Sequence, residues 1–238
     1  MASKKNQKST KINKHLKKSV GLLVACLFFS TAPVRADLPA IENKMIENGL
    51  VDVQALDSSI RVQLAYASTH NFMHKNVYGN LKKCYLQKEI AAKLIKAQKR
   101  LQSEHPGYSL FIFDGARPRR IQYQMWAMVK GTAHEHYVTN PKIGSMHNYG
   151  AAVDLSILDN KGNELDMGTS FDYLGDLAQP RMEQKFLRQG KLTPLQIKNR
   201  LLLRRTMTEA GFIPLLTEWW HFNGLPGDQV KKKYKILE

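Results

Sequence analysis

Ser145-Met146-His147-Asn148-Tyr149-Gly150-Ala151-Ala152-Val153-Asp154 is the stretch from which the rest of the chain can be read. An imidazole and a carboxylate stand seven residues apart, with a glycine and small residues between them. With the histidine on a loop and the aspartate on the strand that follows, both can turn towards one divalent cation. Gly150 to Leu158 has the apolar run of such a strand around Asp154. A third ligand and a base are then needed, and Glu218-Trp219-Trp220-His221 is the other stretch that supplies both. Two histidines and one carboxylate leave the fourth position of a tetrahedral zinc open to water, which is the pattern of a catalytic site.

This reading makes His147, Asp154 and His221 the metal ligands and leaves Glu218 as the base that takes a proton from the attacking water. A geometric condition follows. Residues three apart on a flat strand point to opposite faces, so the segment must twist, or the strand must begin at Glu218, for both groups to face one ion. Arg117, in Asp114-Gly115-Ala116-Arg117-Pro118, is the other charge expected at the centre. A fixed guanidinium stabilises negative charge as it develops on a carbonyl oxygen. A structural pair with Asp114 is the alternative, and the two are compatible because a paired arginine is a well-oriented one.

Around these motifs the periodicities predict the remaining elements. Gln87 to His105 reads as a helix, with Ile90, Leu94, Ala97 and Leu101 on one face and most of its lysines off it. Ser109 to Phe113 reads as a buried strand delivering the Arg117 segment, and Pro118 opens a helix that runs to Val129. Thr193 caps a further helix, with Pro194 in its first turn, Ile197, Leu201 and Met207 on its apolar side and Gly211 beyond its end. Leu50 to Val53 and Ile60 to Leu64 alternate as strands do, and Tyr66 stands where the second opens into a loop. There it either touches a ligand or packs over the core. Asp37 to Asn48 reads as a lightly packed lead-in, and Lys231-Lys232-Lys233 as a solvated tail. His134-Glu135-His136, in a polar loop with no further ligand nearby, reads as an exposed pair and not as a metal site. Strands and helices without regular βαβ alternation predict a single α+β domain, its central antiparallel sheet packed against helices and the zinc site at one edge of the sheet.

The formal charge of +16 suggests a nucleic-acid binder, but eight of the 36 basic residues lie in residues 1–36, which carry no acid. The remaining chain, 37–238, is only moderately basic, and no nucleic-acid partner is expected. Lysines up to Lys18, an apolar run from Val20 to Phe29 and Val34-Arg35-Ala36 together read as a signal peptide cleaved after Ala36, with an uncleaved anchor as the alternative. The expected location is therefore outside the cytoplasm, periplasmic or secreted, without stable membrane insertion after cleavage. Leu23-Val24-Ala25-Cys26 resembles a lipoprotein box, but the apolar stretch continues past Cys26. Cleavage would leave Cys84 as the one thiol, unable to form an intramolecular disulfide and most simply buried.

Taken together, Ser-x-His-x-x-Gly-x-Ala-x-Asp at 145–154, Glu-Trp-Trp-His at 218–221 and Asp-Gly-x-Arg-Pro at 114–118 resemble the D-alanyl-D-alanine dipeptidases, zinc enzymes of vancomycin resistance and of cell-wall recycling. The likeness extends to Tyr66-Ala67 with Asn71-Phe72 and to Met167-Gly168-Thr169 with Phe171-Asp172, so it covers about residues 50–225. The resemblance implies one zinc held by His147, Asp154 and His221, Glu218 as general base and Arg117 on the oxyanion. It also implies that Tyr66 and Asp172 hold the free amino group of a dipeptide and that the region of Ser145 receives its carboxylate. Two positions depart from the family pattern: Ala116 replaces an aromatic, and Met146 replaces a small polar residue beside the metal histidine. The rival functions are a zinc D,D-carboxypeptidase acting on peptidoglycan stem peptides and a non-catalytic zinc-dependent binder of cell-wall fragments.

Overall fold

The computed structural model describes residues 40–238, and the signal-peptide reading of residues 1–36 lies outside them. The described chain begins with helix α1 (Ala40–Glu47), where a loose lead-in was expected. Ile41 and Met45, one turn apart, are buried on its inner face, and the buried Glu42 accepts a hydrogen bond from Tyr85 Oη, so this segment is packed. Strand β1 (Val51–Asp52), helix α2 (Val53–Leu56) and strand β2 (Arg61–Val62) follow. Then come strand β3 (Tyr85–Leu86), which pairs with β1 in a two-stranded ribbon, and the long helix α3 (Lys88–Glu104). Strand β4 (Ser109–Asp114), helix α4 (Arg119–Val129) and strand β5 (Ala152–Leu158) form the middle of the chain. Helices α5 (Glu183–Arg188) and α6 (Pro194–Glu209), strands β6 (Ile213–Pro214) and β7 (His221–Asn223), and helix α7 (Gly227–Lys233) complete it.

The main sheet has the order β2-β4-β5-β7-β6. Every pair in it is antiparallel except β2 with β4, which is parallel. That pair is joined by the long stretch containing α3, and a crossover of this size is what a parallel pair requires. The α+β expectation holds, and the sheet is mixed, not wholly antiparallel. Helix α3 packs against β4 and α6, burying the predicted face of Ile90, Leu94, Ala97 and Leu101. On α6 Ile197 and Met207 are buried as expected, but Leu203 is fully buried where Leu201, 50% exposed, was expected to be.

The register of the inner strands positions the site. Asp114 at the end of β4 pairs across to Asp154 of β5, and Asp154 pairs across to His221 of β7. The three side chains therefore stand in one row where the inner strands end, so the edge that carries the site is this rim and not an outermost strand. A register irregularity between Ile112 and Asp114 re-aims the end of β4 just before the Arg117 segment.

Candidate active site

His147 lies on a short 3₁₀ turn, Met146–Tyr149, between β4 and β5. Ser145 and Asn148 cap that turn reciprocally, Ser145 N–H donating to Asn148 Oδ1 at 2.8 Å and Ser145 Oγ accepting from His147 N–H at 3.4 Å. Gly150 closes it with φ of 65°, and a Cβ at this position would lie 2.7 Å from the Leu50 side chain, so any side chain here would be strained. The turn delivers His147 to Asp154 and His221 with donor atoms at short range. His147 Nε2 lies 3.2 Å from Asp154 Oδ2 and 3.1 Å from His221 Nδ1, and His221 Nδ1 lies 3.0 Å from Asp154 Oδ1. All three residues are buried.

The hydrogen bonds on the far side of each ring say what this cluster can hold. His147 Nδ1 is 2.7 Å from the Gly115 carbonyl oxygen, and His221 Nε2 is 2.9 Å from Asn223 Oδ1. A neutral imidazole carries one N–H, so donation to these acceptors leaves His147 Nε2 and His221 Nδ1 as bare lone pairs. Two bare nitrogens and a carboxylate facing one another repel unless a cation lies among them, so the donor set fits a divalent metal ion. Among the described residues these are the three His, Cys, Asp or Glu side chains that converge in this way. Burial alone would raise the Asp154 carboxyl, but its surroundings, His147 and His221 foremost, hold it well below the usual carboxylate range.

Arg117 is held on several sides. Its Nε and Nη2 donate to Asp114 Oδ2 at 2.9 and 2.5 Å, and its Nη1 donates to Gln122 Oε1 at 2.9 Å. Asp114 in turn accepts from Tyr78 Oη at 2.6 Å and from Gly115 N–H at 2.9 Å. The Arg117 backbone is tied to the His147 turn, its N–H donating to His147 O at 2.9 Å and its carbonyl accepting from Asn148 Nδ2 at 2.8 Å. Although burial opposes the charge, Asp114 beside it keeps the guanidinium fully protonated. Nη2 also lies 3.8 Å from Asp154 Oδ2, so the structural pair and the approach to the metal cluster coexist.

Glu218 satisfies the geometric condition because β7 begins at His221. The Trp219-Trp220 turn carries the carboxylate round, and Glu218 Oε2 comes 4.0 Å from His221 Nδ1. Burial raises its carboxyl to about 7, with Asp154 and Asp172 adding to the rise and His221 opposing it. Asp172 has φ of 60° and faces Tyr66, whose Oη donates to Asp172 Oδ1 at 3.0 Å, while Phe72 N–H donates to Oδ2 at 3.3 Å. Burial also raises the Asp172 carboxyl to about 7, and burial together with Asp172 pushes the Tyr66 hydroxyl far up, so it remains an O–H donor. The Asp172 loop is fixed by Phe171, stacked on Phe113 at 4.8 Å, and by the buried Arg200, whose Nε donates to Met167 O at 2.6 Å. Trp219 Nε1 donates to Thr169 Oγ1 at 2.8 Å and ties the same loop to the turn that bears Glu218.

All eight residues singled out in the sequence, Tyr66, Arg117, Ser145, His147, Asp154, Asp172, Glu218 and His221, line one cleft of about 410 Å³. His134 stands outside it, and His136 is exposed at its wall, apart from the metal cluster. Met146 also lines the cleft, whereas Ala116 is buried and is not part of its lining. Sequence reading missed Gln122, Asn148, Tyr78, Asn223 and the Gly115 carbonyl. Of these only Asn223 carried a local signal, since two residues after His221 on a strand is the same side.

The sequence pattern of a family described as D-Ala-D-Ala dipeptidase matches residues 46–237. A D-alanyl-D-alanine dipeptidase of Escherichia coli K12 is 33% identical over 173 residues, covering 73% of this chain and 83% of the relative. A D-alanyl-D-alanine dipeptidase of Enterococcus faecium is 27% identical over 195 residues, covering 74% of this chain and 92% of that relative. With its motifs gathered in one cleft and the family pattern spanning nearly all of the described residues, the chain belongs to the D-Ala-D-Ala dipeptidase family of metallopeptidases.

Proposed function

We propose that the chain is an exported dipeptidase with one zinc ion, hydrolysing D-Ala-D-Ala whose amino and carboxyl ends are both free. The observation that carries this reading is the convergence of His147, Asp154 and His221 beside an unengaged Glu218 carboxylate, in the same cleft as the Tyr66–Asp172 pair. Nitrogen, nitrogen and carboxylate oxygen are a zinc set. The two ring nitrogens are 3.1 Å apart, near the roughly 3.3 Å edge of a tetrahedron with bonds of about 2.0 Å, and each has one Asp154 oxygen close by, Oδ1 at 3.0 Å from His221 and Oδ2 at 3.2 Å from His147. Zinc bound there would lower the pKa of a water and polarise the scissile carbonyl.

The chain's own residues supply the rest. Glu218, whose carboxyl burial raises, is suited both to accept the proton of the attacking water and to return it to the leaving amine. Arg117 has five N–H groups, of which three are spent on Asp114 and Gln122, leaving two for the oxygen on which negative charge develops. Asp172, with Tyr66 beside it, is the acceptor for the substrate ammonium, and an arriving positive charge favours its ionised form. The Ser145–Met146 segment receives the carboxylate. Because a blocked amino group would leave Asp172 buried without its partner, peptides extended at that end are rejected.

Export is supported by the basic and then apolar order of residues 1–36, and no described helix is long and apolar enough to cross a membrane. The test is incubation of the purified chain, from Asp37 onward, with zinc and each of D-Ala-D-Ala, L-Ala-D-Ala and an acylated tripeptide ending in D-Ala-D-Ala. The proposal expects release of alanine from D-Ala-D-Ala and none from the acylated peptide. Cleavage of the acylated peptide would mean a carboxypeptidase, and no cleavage of any would mean a binder. N-terminal sequencing of the protein recovered from cell fractions tests export, with Asp37 as the expected first residue.

A further inference from the structure

We infer that Asn223 is a positioning residue that sets the tautomer of His221: its Oδ1 holds the ring proton on Nε2 and so presents Nδ1 to the metal. The inference rests on the proposed reading of His147, Asp154 and His221 as ligands. His221 Nε2 is 2.9 Å from Asn223 Oδ1, whereas Nδ1 faces Asp154 Oδ1 at 3.0 Å and His147 Nε2 at 3.1 Å. With no acceptor at Nε2, the proton would move to Nδ1, where two acceptors already wait. It would then occupy the space the cation needs. The two histidines are thus set in opposite senses, His147 offering Nε2 because the Gly115 carbonyl takes its Nδ1 proton, and His221 offering Nδ1.

The fold explains why an asparagine does this. Residues 221 and 223 lie on the same side of β7, and Asn223 pairs across the ladder with Ala152, which has no side-chain atoms beyond Cβ to compete for the imidazole. The partner of His147 is a backbone carbonyl and cannot be substituted. Asn223 is therefore the point at which the metal geometry depends on a replaceable side chain.

The experiment compares the parent with Asn223→Ala and Asn223→Asp, using zinc affinity by competition with a chelating dye and ¹⁵N NMR of His221 in the metal-free proteins. Alanine removes the acceptor, and zinc affinity should fall about 10- to 100-fold, the usual cost of losing such a partner. Aspartate can only accept, so Asn223→Asp should bind zinc within about threefold of the parent or more tightly. In the metal-free parent the His221 proton should be on Nε2, and in Asn223→Ala the Nδ1–H form should appear. An Asn223→Ala affinity within twofold of the parent, or an Asn223→Asp loss as large as that of alanine, would overturn the inference. A parent that binds no zinc would instead refute the ligand assignment, and the metal-free tautomer would still decide the role of Asn223. Should Asn223→Ala fail to fold, Asn223→Asp and the parent tautomer suffice.

Discussion

Asp114→Asn is the substitution whose cost the structure states most fully, because the change of one oxygen to an amide nitrogen has no harmless orientation. Oδ1 receives Tyr78 O–H at 2.6 Å and Gly115 N–H at 2.9 Å, and Oδ2 receives Arg117 Nε and Nη2 at 2.9 and 2.5 Å. Whichever oxygen becomes NH₂ then meets two donors. The guanidinium is also left buried without its anion, the next carboxylate oxygen being Asp154 Oδ2 at 3.8 Å. Breaking one side of a buried ion pair costs roughly 3–5 kcal/mol. Urea unfolding of the zinc-free protein should show that loss as a shift in midpoint at unchanged slope. Hydrolysis of D-Ala-D-Ala should fall about 100-fold, as expected when a donor to the oxyanion loses its orientation. A stability change below about 1 kcal/mol with near-parent turnover would refute the view that Asp114 is what aims Arg117.

Three further substitutions and reactions follow from the same contacts. For Asp172, the folded state holds the carboxyl proton more tightly than the unfolded chain, so its contribution to stability is lost as pH rises from 3.8 through about 7. Asp172→Asn removes the buried charge and tolerates the positive φ, keeping the acceptor for Tyr66 but losing the one for Phe72 N–H, so its Tm relative to the parent should be higher at pH 8 than at pH 4 in the zinc-free protein, while dipeptide hydrolysis is sharply weakened. Gly115→Ala would set a Cβ 2.4 Å from Cys84 Sγ and 3.1 Å from Tyr85 O, so it should destabilise by about 1–3 kcal/mol in thermal unfolding and weaken zinc binding by shifting the carbonyl that holds His147. Cys84 is buried and its thiol is pushed well up by burial, so a disulfide dye should react with it only after unfolding, which absorbance with and without urea would show.

What the sequence made legible was the part whose chemistry is carried by residue type. Histidine, aspartate and glutamate at fixed spacing constrain what they can be for, and the three motifs are side by side in the folded chain because Asp114, Asp154 and His221 share one row of the sheet. Helices α3, α4 and α6 were readable from their periods and caps. The amides that hold the site were not, since Gln122 and Asn148 are generic residues whose roles come from partners brought near by the fold. Leu201 shows the limit of periodicity: α6 packs on α3 and buries Ile197, Leu203 and Met207, and Leu201 falls off that face. The parallel pairing of β2 with β4 was equally invisible, because two-residue strands carry too little pattern to name their neighbours. The chain end was read as solvated lysines, and those are exposed. Yet Leu237 beyond them is buried, its N–H donating to Asn148 O at 2.8 Å and its carbonyl accepting from Arg119 N–H at 2.7 Å.

The most direct measurement of the central claim takes zinc content and D-Ala-D-Ala hydrolysis together on the parent, Glu218→Ala and His221→Ala. The account predicts one zinc per chain and turnover in the parent, zinc without turnover in Glu218→Ala, and neither in His221→Ala. Turnover surviving in Glu218→Ala, or full zinc in His221→Ala, would contradict it.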